Sequence, residues 1–394
     1  MLSVPHLDRE FDYLVSADQS DDAQPGVRVR VRFHGRLVDA FVLERRFDTD
    51  HVGQLGWLDR VVSAEPVLTP EIRRLADAVA SRYAGTRADV FRLAIPPRHA
   101  RAEATQPQPT QPLQFEDVDS AAWARYARGD QFLTALGEGR AARAVWQALP
   151  GENWGARIAE AAAATVAGGH GVLVIVPDQQ DIEALSAAVV TRVDESVVAA
   201  LSAGLGPSAR YRRWLAVLRG QARVVIGTRS AVFAPVDRLG LVAVWEDGDE
   251  SLAEPRAPYP HAREVAMLRA HQLRCAAMIG GYSRTAEAQA LVRSGWAHDL
   301  VAARPTVRAS APRVVALEDS GFADERDPAA RSARLPSIAM RAARGALDRG
   351  TPVLVQVPRR GYVPSVACAR CRTIARCRHC MGPLSLTERN AGGA

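Results

Sequence analysis

Two short apolar runs, each followed by a polar turn, constrain the fold of this chain more than any other stretch. They are 224–226 (VVI) and 241–245 (LVAVW). Continuous β-branched runs bounded by turns are typical of strands buried on both faces of a parallel sheet. The second run ends in a cluster of four acidic residues, Glu246, Asp247, Asp249 and Glu250. Because open α/β sheets bind ligands beyond the carboxyl ends of their strands, this cluster is a candidate magnesium site.

Further strands and helices alternate around these runs. Apolar segments that suit buried strands occur near 172–176, 197–201, 223–226, 241–245 and 276–280. Strands that alternate with helical patterns predict an α/β fold built on a parallel sheet. The alanine-rich residues 116–167 predict helix before the first strand. A second α/β unit is predicted to begin near 313–317, with a helix over 335–349 and a strand over 352–357.

The first hundred residues predict a small β-rich domain followed by a short helix. Residues 27–33 (VRVRVRF) alternate apolar and charged side chains, which is typical of a strand with one wet face. Its arginines suit a phosphate backbone, although a solvated sheet face is the simpler interpretation. Residues 70–84 combine an initial proline with helical apolar spacing. The Pro/Gln-rich segment that follows, within 101–115, predicts an extended linker.

Composition limits the class of protein and of partner. The 394 residues carry a net charge of +6, and all 50 basic residues are arginine because the sequence contains no lysine. A basic chain favours an acidic partner, although solubility explains the charge equally well. No segment approaches the ~20 apolar residues of a membrane span. We therefore expect a cytoplasmic protein with no membrane partner.

Four of the five cysteines lie within thirteen residues, and their spacing indicates metal binding. They form two C-x2-C pairs, Cys368 with Cys371 and Cys377 with Cys380. Each pair has the spacing of a zinc knuckle, in which two thiolates share one tetrahedral ion. Ordinary four-cysteine sites leave ~15–20 residues between the pairs, whereas five residues separate them here. The spacing alone leaves open whether all four cysteines share one zinc.

Several stretches in fixed order resemble the PriA family of bacterial superfamily 2 replication-restart helicases. They are FDYL (11–14) followed by GVRVRVRFHG, VLVIVP (172–177), the long segment 201–247, YPHAREVA (259–266) and RRGY (359–362). The resemblance implies RecA-like helicase lobes behind an N-terminal domain that grips a DNA 3′ end. It assigns the 3′-end pocket to Phe11, Asp12 and Gly35. An aromatic ring can stack on a base, and a carboxylate can accept from a terminal hydroxyl.

The departures from that family affect three parts of one ATP site. Where the family has a Gly-Ser-Gly-Lys-Thr phosphate loop, residues 150–157 read PGENWGAR, which keeps Gly151 and Gly155 but has neither the lysine nor the metal-binding hydroxyl. Residues 246–249 (EDGD, including Glu246 and Asp247) replace the Asp-Glu-Glu-His box, and 280–285 (GGYSRT) replace the Gly-Ser-Ala-Thr-Pro motif. Because phosphoryl transfer depends on positioning and charge neutralisation, we expect no catalytic residues and no ATP hydrolysis with magnesium.

The resemblance also implies a domain plan. The expected segments are an N-terminal 3′-DNA-end-binding domain (1–100), the linker (101–115), a degenerate helicase lobe 1 (116–310), the start of lobe 2 (311–364) and a partial zinc-binding region (365–394). The winged-helix module of the family is expected to be missing or vestigial. The family carries four knuckles and two interleaved zinc ions, so on that pattern the missing knuckles lie beyond Ala394. We expect a chain that stops part-way through a longer protein.

These expectations combine into one functional hypothesis with two alternatives. The chain is expected to be a replication restart protein that binds DNA forks, single-stranded gaps or 3′ ends and zinc. It would help to assemble the primosome together with single-strand-binding proteins, without unwinding DNA. The first alternative is an active ATP-dependent 3′–5′ DNA helicase with an unorthodox loop. The second is a zinc-dependent protein adaptor with little affinity for DNA.

Overall fold

The computed structural model divides into two compact units, 1–312 and 313–394. It describes residues 8–105, 120–202, 204–312, 314, 335, 337–356, 365–378 and 384–385. The predicted linker beyond residue 105, all but residue 314 of the predicted start of the second α/β unit (313–317), Cys380 and the residues after 385 lie outside the described residues.

A four-stranded sheet forms the N-terminal part of the first unit. Its strands are β1 (Tyr13–Leu14), β2 (Arg28–Phe33), β3 (Arg36–Phe41) and β4 (Gly56–Ser63), in the order β1-β4-β2-β3. The β2–β3 hairpin is antiparallel, and β1 runs parallel to β4. Val29 and Val31 of β2 are buried, whereas Arg30 on the other face pairs with Asp39. The strand predicted from the alternation is therefore confirmed.

Three helices connect this sheet to the larger core. They are α1 (Pro70–Arg82), α2 (Arg87–Ala94) and α3 (Ala100–Glu103). The hydroxyl of Thr69 accepts the Ile72 N–H at 3.2 Å and so caps α1, which begins with the predicted proline. The linker was expected to start at residue 101, but residues 101–103 are helical. Ala102 of α3 is buried, and this burial explains why the chain stays ordered there.

The core of the first unit is a seven-stranded sheet in which every pairing is parallel. Its order is β11-β5-β10-β9-β6-β8-β7. The strands are β5 (Arg143–Gln147), β6 (Gly171–Ile175), β7 (Val198–Leu201), β8 (Val224–Gly227), β9 (Leu239–Trp245), β10 (Ala276–Gly281) and β11 (His298–Leu300). The predicted α/β fold with a parallel sheet is confirmed, including all five strands that the apolar runs indicated.

Helices cover both faces of this sheet. They are α4 (Gly129–Gly137), α5 (Trp154–Ala167), α6 (Gln179–Val189), α7 (Pro207–Leu218), α8 (Ala262–Leu273), α9 (Ala286–Arg293) and α10 (Arg304–Ser310). Alternate residues of β6 enter opposite apolar layers: Val172 and Val174 pack on one side, Leu173 and Ile175 on the other. Burial on both faces explains why the central strands are continuous apolar runs.

Two local predictions were wrong. Residues 143–147 were expected to be helical but form β5, whose Val145 and Trp146 pair with β10. Their alanine-rich surroundings favour helix locally, and the tertiary pairing overrides that preference. In the second unit, α11 (Ser337–Asp348) lies within the predicted helix. The strand expected at 352–357 has no ladder partner over its described part, 352–356.

A buried arginine joins α1 to the core. The Arg269 side chain on α8 is 1% exposed. Its Nε donates a hydrogen bond to the Glu71 carboxylate at 3.0 Å. Its Nη1 also donates to the Val232 carbonyl at 2.9 Å. A charge without access to water requires such partners, so this pair fixes the helical segment onto the sheet domain.

We predict that Glu71→Ala lowers the free energy of unfolding by about 3 kcal/mol, because it leaves the Arg269 charge buried without its carboxylate. Urea unfolding followed by circular dichroism measures the change. The matched control is Asp39→Ala, which breaks an ion pair whose side chains are 40% and 67% exposed. That control should cost less than about 1 kcal/mol, and equal losses would contradict the prediction.

Candidate functional site

The loop that replaces the phosphate loop is closed by its own glutamate. Glu152 is 8% exposed, and its carboxylate accepts a hydrogen bond from the Tyr126 hydroxyl at 2.5 Å. Arg125 forms an ion pair with the same carboxylate. Burial raises the pKa of Tyr126 to about 12, and the bond to Glu152 acts in the same direction. The carboxylate therefore anchors the loop to the segment before α4 instead of facing an open anion site.

Two N–H groups in the first turn of α5 have acceptors within the chain. The Asn153 side chain accepts the Ala156 N–H at 3.1 Å, and the Trp154 N–H donates to the Glu152 carbonyl at 3.0 Å. Phosphate loops leave such N–H groups to the phosphates of the ligand. Gly151 adopts a left-handed φ of 73°, whereas Gly155 lies in α5 against Ala188. The two predicted glycines thus serve a turn and a helix contact.

Arg157, the one basic residue of this loop, is bound to carboxylates of its own chain. Its side chain is 11% exposed and lies 3.0 Å from the Glu160 carboxylate. Its Nε lies 3.7 Å from Glu152. Two carboxylates of the same chain thus neutralise this guanidinium, which leaves it poorly placed to bind a phosphate.

The acidic cluster after β9 is divided between two networks. Glu246 has a left-handed φ of 50° and accepts the Tyr282 N–H at 2.9 Å. Asp247 is 3% exposed, and its carboxylate contacts Arg263 at 2.8 Å and accepts from the Thr285 hydroxyl at 2.7 Å. Since Arg263 already neutralises Asp247, that carboxylate is poorly placed to bind a metal ion.

A cavity of about 620 Å³ remains between this cluster and α5. Trp154 stacks on Trp245, with ring centroids 4.8 Å apart, and both rings line the cavity. Carboxylates line it as well, and burial raises the pKa of Asp181, with neighbouring Asp178 acting in the same direction. The two tryptophans, Asp178 and Asp181 were not among the predicted site residues. Asp178 caps α6 just after a strand, which is the one signal that could have indicated its position.

A second cavity, of about 500 Å³, lies in the N-terminal sheet domain and includes Phe11 and Asp12 in its lining. The Phe11 ring lies 5.0 Å from that of Phe33 in an edge-to-face contact. The Thr49 hydroxyl donates to the Asp12 carboxylate. The structure thus brings two of the three predicted pocket residues into one cavity.

Gly35, the third predicted pocket residue, lies in the β2–β3 turn. Its φ is 76°, and that of the preceding His34 is 45°, which suits a tight hairpin turn. A side-chain carbon at Gly35 would meet nothing within 4 Å, so the turn is open to an incoming ligand. Phe33, at the end of β2, lies between this turn and Phe11.

Cys368 and Cys371 lie in one turn held by main-chain hydrogen bonds. The Cys368 N–H donates to the Thr373 carbonyl at 2.9 Å, and the Arg372 N–H returns to the Cys368 carbonyl at 2.8 Å. The hydrogen bond with Thr373 lowers the pKa of Cys371 to about 7, and the Cys368 thiol contributes. Thiolate is the form that binds zinc. Among the described residues, no group of three or more potential metal ligands occurs. The described residues include Cys377 but not Cys380.

Comparison with known proteins places this geometry in context. A family model described as "3'DNA-binding domain (3'BD)" matches residues 1–96. The "Probable replication restart protein PriA" of Mycobacterium leprae is 74% identical over 396 residues, which cover 100% of this chain and 61% of that relative. The chain belongs to the PriA family. It spans about three fifths of the length of the M. leprae relative.

More distant similarities have lower identity. The "Replication restart protein PriA" of Treponema pallidum is 26% identical over 395 residues, covering 99% of this chain and 58% of that relative. The Hef helicase domain of Pyrococcus furiosus matches with a TM-score of 0.34 and 14% identity, over 47% of this chain and 40% of that structure. A score this low supports no inference about function. None of the described helices of this PriA-family chain is long and apolar enough to cross a membrane.

Proposed function

We propose that this chain is the DNA-end-binding part of a replication restart protein, with an α/β core that does not hydrolyse ATP. Its proposed ligands are DNA forks, single-stranded gaps and 3′ ends, and its proposed partners are primosome and single-strand-binding proteins. The observation that carries the proposal is the closed loop at 150–157, where Glu152 and Arg157 neutralise charges of the same chain. Conversion of this loop to a phosphate cradle would leave several buried charges unpaired.

The cavity that contains Phe11 and Asp12 supports the DNA-binding part of the proposal. A half-buried Phe11 ring can stack on a terminal base, and Arg9 lies 4.7 Å from the ring centroid, where it can approach a phosphate. The Asp12 carboxylate already accepts from the hydroxyl of Thr49. A terminal 3′-hydroxyl presents the same donor chemistry and can take over this acceptor.

The knuckle of Cys368 and Cys371 supports a zinc site. A zinc ion held there would fix the chain geometry of the second unit and supply no catalytic chemistry, and on the family pattern Cys377 and Cys380 would hold a second ion. The left-handed Arg372, with a φ of 57°, turns the backbone directly after Cys371, and main-chain hydrogen bonds between 368 and 373 stabilise this turn.

For the 3′ end, we predict that forks with a 3′-hydroxyl bind about tenfold more tightly than forks with a 3′-phosphate, because a hydrogen bond to a charged acceptor contributes about 1.5 kcal/mol. Asp12→Asn should reduce this preference to about one without changing the thermal midpoint. Fluorescence anisotropy of labelled forks measures both affinities. Asp39→Asn is the matched control, and a preference that survives in Asp12→Asn would refute the role of this carboxylate.

For ATP, we predict that phosphate release by the chain equals that of a protein-free blank, with or without DNA. The closed loop offers no neutralising group for the γ-phosphate. A coupled phosphate assay, performed in parallel on Glu246→Ala, measures the rate. DNA-stimulated release in the unmodified chain that disappears in Glu246→Ala would favour the helicase alternative.

For zinc, we predict that the purified chain contains the metal and that Cys371→Ser reduces its content at least twofold, because the knuckle loses a ligand. Mass spectrometry of the metal content measures it. Cys275→Ser is the control, since Cys275 is buried beside β10 and burial raises the pKa of its thiol. Equal zinc content in the unmodified chain and Cys371→Ser would contradict the prediction. One zinc per chain would indicate a single four-cysteine site.

A further inference from the structure

A third cavity, of about 820 Å³, opens at the amino ends of β5 and β11. The loop 150–157 and the acidic cluster follow the carboxyl ends of β5 and β9, so this cavity lies at the opposite end of the sheet. Its polar side chains are Arg128, Gln131, Arg140, Arg143 and His298, and its aromatic side chains include Trp296. No carboxylate is part of this lining.

Two of the arginines in this cavity lack an acidic partner. Arg128 bonds to the His298 ring at 2.7 Å, and Arg143 contacts the Trp296 ring. Neither has a carboxylate oxygen within 4 Å in the part of the chain that the structure describes, whereas Arg140 pairs with Glu138. The buried arginines of the core, such as Arg269, are paired. The cavity therefore keeps two positive charges available for a ligand.

These two arginines are also held in place before a ligand arrives. The Arg143 guanidinium lies 4.7 Å from the Trp296 ring centroid, a cation–π geometry that restricts its rotamers. Arg128 precedes α4 with a left-handed φ of 64°, and its bond to His298 orients its fork. Such preorganisation lowers the entropic cost of binding an anion.

We propose that this cavity binds a backbone phosphate of DNA, at a contact that requires no 3′ end. A guanidinium fork matches phosphate geometry, and two forks in one cavity can share one phosphate or bind adjacent ones. The neighbouring Trp296 offers an aromatic surface for an unpaired base, which favours a nucleic acid over an acidic peptide. The inference rests on the proposed function only in taking DNA as the ligand.

The test uses the 394-residue chain and a labelled fork whose 3′ ends carry phosphate, which removes the contribution of the 3′-hydroxyl. Anisotropy titrations over a range of salt concentrations compare the unmodified chain with Arg128→Gln/Arg143→Gln. We expect an affinity loss of about tenfold at low salt and a decrease of about one to two in the slope of log K against log salt. The single variant Arg143→Lys keeps the charge, so its affinity should lie between those of the unmodified chain and of Arg128→Gln/Arg143→Gln.

The control is Arg74→Gln/Arg212→Gln, which removes two exposed arginines from α1 and α7, outside this cavity. An equal loss in this control would show an effect of net charge and overturn the proposal. An unchanged affinity and slope in Arg128→Gln/Arg143→Gln would overturn it as well. The proposal would also fail if this variant still bound DNA but no longer bound a polyglutamate peptide. Preference for a 3′-hydroxyl should persist in the cavity variant. Absence of that preference in the unmodified chain would count against the proposed 3′-end pocket alone.

Discussion

The buried carboxylate of Glu152 is the interaction on which the candidate site depends. A carboxylate removed from water must be paired and hydrogen-bonded, and here Arg125, Tyr126 and Arg157 meet that requirement. Because Arg125 and Tyr126 precede α4 and Arg157 lies in the first turns of α5, one charge influences both the path of the loop and the start of that helix. A phosphate loop requires the reverse arrangement, in which open N–H groups and a free cation wait for an external charge. The two arrangements exclude each other at one position.

The absence of lysine from the sequence gives this exclusion a chemical basis. Lysine is a compact charge on a flexible stem, whereas arginine is a wide planar fork that remains protonated. A guanidinium that is enclosed in the core needs a counter-charge, and Arg157, Arg263 and Arg269 each pair with a carboxylate of the chain. The arginines at the amino ends of the strands are different, because Arg128 and Arg143 face a cavity without carboxylates. The same residue type therefore stabilises one end of the sheet and can bind a ligand at the other.

The sequence predicts the central sheet because strands buried on both faces must be apolar at every position, and such runs are visible without tertiary information. β5 escapes prediction because its short apolar run lies among alanines, and only its pairing with β10 makes it a strand. The family resemblance identifies the altered positions in the ATP site. It gives no information on what replaces the ligand, because the contacts join residues distant in sequence: Trp154 stacks on Trp245, and Arg263 neutralises Asp247. The hydrogen bond between Thr49 and Asp12 could not be predicted from the sequence for the same reason.

The attachment of the N-terminal sheet domain to the core favours a scaffold over a moving part. Three charged contacts connect the segment that contains α1–α3 with the core: Glu71 with Arg269, Glu65 with Arg219, and Glu103 with the Tyr211 hydroxyl at 3.0 Å. Arg269 is buried and Arg219 is 17% exposed, so separation of the two parts would leave charges unpaired in a low-dielectric interface. The helical segment is held in this way relative to the seven-stranded sheet, and Arg28 of β2 in turn donates to the Pro96 carbonyl of this segment at 2.6 Å. A fixed orientation is what a protein needs if it recognises a DNA end at one cavity and a backbone phosphate at another, because the distance between the two contacts then selects the DNA structure.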